Sequence, residues 1–209
     1  MRVLALDTTG RDCSAALTDG GDVLGARRET IGRGHAERLG PQVKDLLAEA
    51  GMSVSDIDRI AVCTGPGSFT GLRVALAFAK GLALPHSIPV LGISGLWVRA
   101  AMADPEGKST VLTAQGVRRG EIFWQIFKQG RPIGKPILSG AAQAKTALDQ
   151  NMILTGSAAK LFGGPDEEDY VDPVILARLG ALARPEDYPA TPLYHRPPDA
   201  KLPGGISLS

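Results

Sequence analysis

The chain is short of cysteine, histidine and excess charge, and each shortage removes a class of protein. Two cysteines in 209 residues, Cys13 and Cys63, cannot build the disulfide framework of a small secreted domain. Both sit in apolar stretches that read as strands, so buried reduced thiols are expected. Lysine and arginine total 23 against 22 for aspartate and glutamate, and a net charge of +1 argues against a large nonspecific grip on nucleic acid. No stretch reaches the roughly 18 to 20 uncharged apolar residues that span a bilayer. The opening MRVLALDTT carries one basic residue and an apolar run broken by Asp7, which reads as a strand rather than a signal peptide, so a cytoplasmic protein without a membrane partner is expected. The 3 histidines form no H-E-x-x-H pair.

What is present is an ordinary globular balance, 44% hydrophobic and 22% charged, in a chain long enough for one domain or two small lobes. Its organising stretch is 64–84, TGPGSFTGLRVALAFAKGLAL. An apolar run at 58–63 reads as a buried strand, and Gly65-Pro66-Gly67 stops it. Ser68 or Thr70 can cap the helix that follows. Within it Leu72, Ala75, Leu76, Ala79 and Ala83 recur at helical spacing, with Arg73 and Lys80 off the stripe. Small residues give this helix a narrow cross-section. Its face either rests on the chain's own sheet or meets a partner.

The glycine-rich turn exposes backbone N–H groups at a helix N-terminus and is a candidate anion cradle, with Gly65, Gly67 and Ser68 as contacts. It is not a P-loop, because no Lys-Ser/Thr pair follows at the required spacing. Nor is it a nucleophile elbow, because Gly67 directly precedes Ser68.

Taken in order, strands are predicted at 3–6, 13–18 and 23–30, the last two joined by Asp19-Gly20-Gly21-Asp22. A helix follows at about 40–50, marked by Leu39, Val43, Leu46, Leu47 and Ala50, with Pro41 near its first turn. Then come the 58–63 strand, the small-residue helix, a strand at 89–93 and a helix at 94–103. The order β-β-β-α-β-α-β-α demands a mixed sheet covered by crossover helices, as in one lobe of an actin- and hexokinase-like core; a ribonuclease H-like domain has the same order. Asp104-Pro105-Glu106-Gly107-Lys108 is the expected lobe boundary, dividing the chain into 1–104 and 105–209. Beyond it, strands at 110–114, 122–127, 136–138 and 152–154 and helices at 141–149 and 173–183 make a degenerate copy of the first half. From Arg184 the chain is proline-rich and is expected to end extended and partly mobile.

Five blocks, LALDTTGRDCSAAL, GHAERLGPQVKDLL, TGPGSFTGLRVALAFAKGLAL, VRRGEIF and PLYHRPPDAK, together resemble the TsaB (YeaZ) family and span nearly the whole chain. PGSFTGLR is the most specific of them. The resemblance implies an α/β, actin-like (ASKHA, ribonuclease H-like) fold of two lobes. It also implies a noncatalytic role in making threonylcarbamoyladenosine beside the anticodon of tRNAs that read codons starting with A. The implied partners are TsaD, a homologous subunit that transfers the threonylcarbamoyl group, and TsaE, an ATPase; tRNA is met through the complex. Two helices of one lobe would pack against the equivalent pair of TsaD, with Leu39, Val43, Leu46, Leu72, Ala75, Leu76, Ala79 and Ala83 as candidate contacts, and would self-pair in a homodimer when TsaD is absent.

The resemblance also bears on cofactors. The catalytic relative holds its metal with a His-x-x-x-His pair, whereas here Leu39 follows His35 and His86 and His195 stand alone, so no metal site is expected and a glycoprotease activity is unsupported. In actin-like kinases the first hairpin contacts phosphates and magnesium, and Asp7, Thr8 and Thr9 occupy that place; Asp7 equally suits a tight turn. The second lobe offers only Thr155-Gly156-Ser157. No tightly bound cofactor is expected, with ATP and magnesium entering at the level of the complex. The family's Asp-Ala-Arg before Gly-Glu is replaced by Gly116-Val117-Arg118-Arg119, leaving Arg118 and Arg119 as candidate surface contacts. The competing reading is an actin-fold Mg-ATP-dependent phosphotransferase or ATPase acting alone through Asp7.

Overall fold

In the computed structural model, residues 1–117 and 120–193 are described. The first sheet begins as an antiparallel meander of β1 (Arg2–Asp7), β2 (Asp12–Asp19) and β3 (Asp22–Thr30). Gly20 and Gly21 both take positive φ in the β2–β3 turn, which matches the twist of a two-residue hairpin. β4 (Arg59–Cys63) and β5 (Val90–Ile93) then add in parallel on the other side of β1, giving the order β3-β2-β1-β4-β5. The second sheet repeats this plan without its last strand. β6 (Thr110–Gly116), β7 (Glu121–Lys128) and β8 (Arg131–Gly140) form the meander, and β9 (Ile153–Thr155) pairs in parallel with β6, in the order β8-β7-β6-β9.

Strand alternation divides the core. Leu4 and Leu6 of β1 face α1 (His35–Glu49) and α2 (Phe69–Ala83), packed with Leu39, Val43, Leu46, Leu76 and Ala79. Val3 and Ala5 face the other way, into a cluster that contains residues of both sheets together with α3 (Gly95–Ala103) and α5 (Pro173–Leu182). A smaller cluster under α4 (Ala141–Lys145) covers the far face of the second sheet.

The terminal helices are exchanged. α3, from the first half, lies on β6, β7 and β9, while α5, from the second half, lies on β1, β2 and β4. The Trp97 indole N–H of α3 donates to the Gly130 carbonyl at 2.9 Å, and a methyl group at Gly180 of α5 would fall 2.5 Å from the Ala61 Cβ. The chain therefore leaves the first sheet near Asp104 and returns to it before its end. The region 105–209 contributes a helix to the first lobe's packing.

Several boundaries differ from the sequence reading. α1 starts at His35, because Gly34 turns the chain at φ 85 and begins the helix a turn earlier, so Pro41 lies inside it with its ring outward. α4 stops at Lys145, where the Thr146 hydroxyl donates back to the Gln143 carbonyl at 2.8 Å and competes with the helical ladder. β8 is longer than the spacing implies, since an edge strand tolerates Pro132, Pro136 and Gly134 within it. The start of the proline-rich tail is anchored: Gly92 N–H donates to Tyr188 O at 2.9 Å and Leu193 N–H to Thr64 O at 2.8 Å. The rest of the tail, with His195, and Arg118 and Arg119 lie outside the described residues. No helix among the described residues is long and apolar enough to cross a membrane.

Candidate functional site

The glycine turn and the first hairpin do meet, and they meet each other. Ser68 N–H donates to the Thr9 carbonyl at 2.7 Å, and the Thr8 hydroxyl donates to the Gly71 carbonyl at 2.6 Å. The contact is too close for any side chain at two positions. A Cβ at Gly67 would lie 2.4 Å from Thr9 O, and one at Gly71 would lie 1.9 Å from Thr8 O. Ser68 is the helix cap, its hydroxyl accepting the Gly71 N–H at 3.3 Å.

This geometry separates the six candidate phosphate contacts Asp7, Thr8, Thr9, Gly65, Gly67 and Ser68 by exposure. Asp7, Thr8, Thr9 and Gly65 are buried, and only Gly67 and Ser68 are exposed. Two of the turn's backbone donors are engaged within the chain, the Ser68 N–H by Thr9 and the Gly71 N–H by the Ser68 hydroxyl. Among the described residues no three His, Cys, Asp or Glu side chains cluster as metal ligands.

Asp7 ties the turn, accepting the Thr9 N–H at 3.0 Å. Burial raises its pKa, and the bonds from Thr9 and the charge of Arg99 only partly offset this. A raised folded-state pKa contributes stability that is present below the unfolded value and is lost as pH rises through the folded one. Asp7→Asn should therefore gain on the native chain as pH rises above 3.8, measured by urea unfolding across a pH series. An unchanged difference at every pH would show that the charged form is not penalised.

Burial also pushes the Cys13 thiol up to about 11 and raises that of Cys63. Both thiols are free and buried, so neither should react with a thiol reagent in the folded protein at neutral pH, and both should react in denaturant.

The eight apolar residues proposed as partner contacts need a correction. Leu39, Val43, Leu46, Leu72, Ala75, Leu76, Ala79 and Ala83 are all buried, and with the exception of Leu72 they join the cluster between α1, α2 and the first sheet. Their stripe is the core-facing one. The outward side of the same helix pair carries a different surface, a groove of about 520 Å³ lined by Ala36, Leu39, Phe69, Thr70, Arg73, Val74, Ala77 and Phe78. The Arg73 guanidinium stacks 3.8 Å over the Phe69 ring, and the Phe78 ring lies beside Gly40 of α1. Sequence reading missed this second stripe, although 69, 73 and 77, with 70, 74 and 78, repeat at helical spacing.

Gly81 continues the outward face of α2. A methyl group there would meet nothing within 4 Å, so no packing inside this chain requires glycine at that position.

Comparison with known proteins agrees with this architecture. Residues 25–158 match the family model described as TsaD, tRNA N6-adenosine threonylcarbamoyltransferase. The tRNA threonylcarbamoyladenosine biosynthesis protein TsaB of Escherichia coli is 41% identical over 130 residues, 62% of this chain and 56% of that protein, so the matched part spans just over half of the relative. An uncharacterized protein of Mycobacterium bovis, Mb3455c, is 34% identical over 95% of this chain and 93% of its own length. The solved structure of YeaZ from Pseudomonas aeruginosa superimposes with a TM-score of 0.76 at 32% identity, covering 92% of this chain and 99% of that one. With the actin-like plan of two mixed sheets and crossover helices, these matches place the chain in the TsaB (YeaZ) family.

Proposed function

We propose that this chain is a noncatalytic subunit of the machinery that makes threonylcarbamoyladenosine in tRNA, and that it works by holding a TsaD-type transferase through the outward face of α1 and α2. The carrying observation is Gly81 beside the groove. Glycine in a helix interior costs about 1 kcal/mol relative to alanine, yet nothing within this chain approaches its α-carbon from outside. A second helix pair closing on this face would use that space. The relatives' names supply the pathway, and the family model supplies the kind of partner. In this reading the same face pairs two copies of the chain when the transferase is absent, a TsaE-type ATPase joins the assembly, and tRNA is met through the partner.

A substitution at Gly81 separates folding from assembly. Gly81→Ala should raise the unfolding midpoint of the isolated chain by about 2 to 4 °C, because it removes a helix-interior glycine. It should also weaken binding to the transferase, measured by titration calorimetry. Stabilisation without weaker binding would place the interface elsewhere.

The function itself is tested by reconstitution. This chain is mixed with TsaD, TsaE, ATP, threonylcarbamoyl-adenylate and unmodified tRNA, each protein is omitted in turn, and the modified nucleoside is quantified. Product should require this chain together with TsaD, and this chain alone should make none. Asp7→Asn should leave the yield unchanged, because the Asp7 carboxylate is turned into the hairpin rather than toward a substrate. Turnover by this chain alone that disappears in Asp7→Asn would instead establish the phosphotransferase reading.

A further inference from the structure

The facing walls of the two sheets change character along their length. From the amino end of β1 the inward positions are Val3, Ala5 and Asp7, and from that of β6 they are Val111, Thr113 and Gln115. Both central strands thus run from apolar to polar toward their carboxyl ends. At the apolar end the sheets are joined through Trp97, Phe127 and Leu176. The polar end is poorly satisfied: Ser14 Oγ, Arg99 Nε, Thr113 Oγ1 and Gln115 Oε1 are buried without a hydrogen-bond partner. Each such group favours an open state in which water reaches it.

Opposing that tendency is the segment that carries the chain back from the second sheet to α5. Glu167 Oε2 accepts the Thr155 hydroxyl at 2.6 Å and the Gly156 N–H at 2.8 Å, both on the second sheet's side. Glu168 pairs with Arg28 of β3, on the first sheet. Asp169 pairs with Arg99 of α3 and accepts the Gln115 side-chain N–H at 3.3 Å. Tyr170 lies with its ring 4.0 Å from the Arg28 guanidinium carbon. Successive residues therefore anchor alternately to the two lobes.

We propose that residues 167–170 form an ionic clasp that holds the polar mouth closed, and that the lobes part about their apolar end when the clasp is released. Its two ion pairs differ in strength. Arg99 and Asp169 are 7% and 44% exposed, so their pair is the less screened, whereas Arg28 and Glu168 are 31% and 68% exposed and are weakened more by salt. Release begins at Glu168.

The test uses the full chain with spin labels at Asp22→Cys on β3 and Lys135→Cys on β8, diluted with unlabelled protein; the native thiols are buried and stay unlabelled. The native clasp should give one narrow distance distribution, with a longer population growing at high salt. Glu168→Gln should show that population already at low salt, with little further response, and with Asp169→Asn added the open fraction should rise at least tenfold. Amide exchange at 155–156 and 167–170 should accelerate by a similar factor. A single unchanged distance in a folded Glu168→Gln protein, with native exchange at those residues, overturns the clasp. If the double variant fails to fold, the exposed Glu168→Gln substitution and the salt response of the native chain decide between the two outcomes.

Discussion

Gly71→Ala is expected to lower the thermal midpoint by on the order of 10 °C, a large effect for the addition of one methyl group. The added methyl carbon would sit 1.9 Å from the Thr8 carbonyl oxygen. Neither atom can yield cheaply, since the oxygen belongs to backbone, the Cβ is fixed by the backbone of α2, and Thr8 is tied to Gly71 by its own hydroxyl. Relief requires α2 to withdraw from the first hairpin, which breaks the Ser68 to Thr9 bond and opens the packing of Leu72 and Leu76. Overpacking of this kind costs up to about 3 kcal/mol. Circular dichroism melting of the purified variant is the measurement, and a midpoint within a degree or two of the native chain would mean that the hairpin and helix are not clamped. Gly81→Ala, ten residues along the same helix, should move the midpoint the other way.

The second large effect is a contrast between neighbours on α2. Ala77→Arg should leave the chain folded but abolish measurable binding to the transferase, a loss of at least about 100-fold, or roughly 2.8 kcal/mol. Ala75→Arg should prevent folding. Ala77 is exposed in the outward groove, where a long charged side chain in free protein simply reaches water. Ala75 is fully buried between α2 and the first sheet, where neither the volume nor the charge of arginine can be accommodated. Circular dichroism combined with calorimetric titration separates the cases. Folded Ala77→Arg that binds normally would remove this groove from the interface, and folded Ala75→Arg would contradict the core assignment.

The same pair of residues shows where sequence reading stops. Periodicity placed α2 within two residues and narrowed its cap to Ser68 or Thr70, of which the structure uses Ser68. It also found the apolar stripe through Ala75 and Ala79. It did not say what the stripe packs against, since a spacing of 3.6 identifies a face and carries no information about the occupant. The more apolar stripe was claimed by the chain's own sheet, which left the smaller, mixed stripe through Phe69, Arg73 and Ala77 outward.

The candidate phosphate residues repeat the lesson at a turn. Glycine, serine and threonine around a helix start serve an anion or a neighbouring backbone equally well. Here the neighbour is the Thr8-Thr9 backbone, brought over sixty positions by the parallel pairing of β1 with β4. The clasp residues were invisible for the same reason. Glu167, Glu168 and Asp169 read as a polar loop until Arg28, Arg99 and Thr155 come within reach.

The sequence by itself determined the local elements: the alternating strands of two meanders, the small-residue helix with its cap narrowed to two residues, and the absence of a membrane-spanning helix among the described residues. It also carried the repeat of one plan in both halves, visible in the matching strand orders. Only the tertiary structure decided that α3 and α5 are exchanged between the sheets, which stripe of α2 faces out, and which carboxylates bridge the lobes. Those outcomes depend on pairs of residues far apart in the chain, and the free energy of burying one surface against another exists only when both are present.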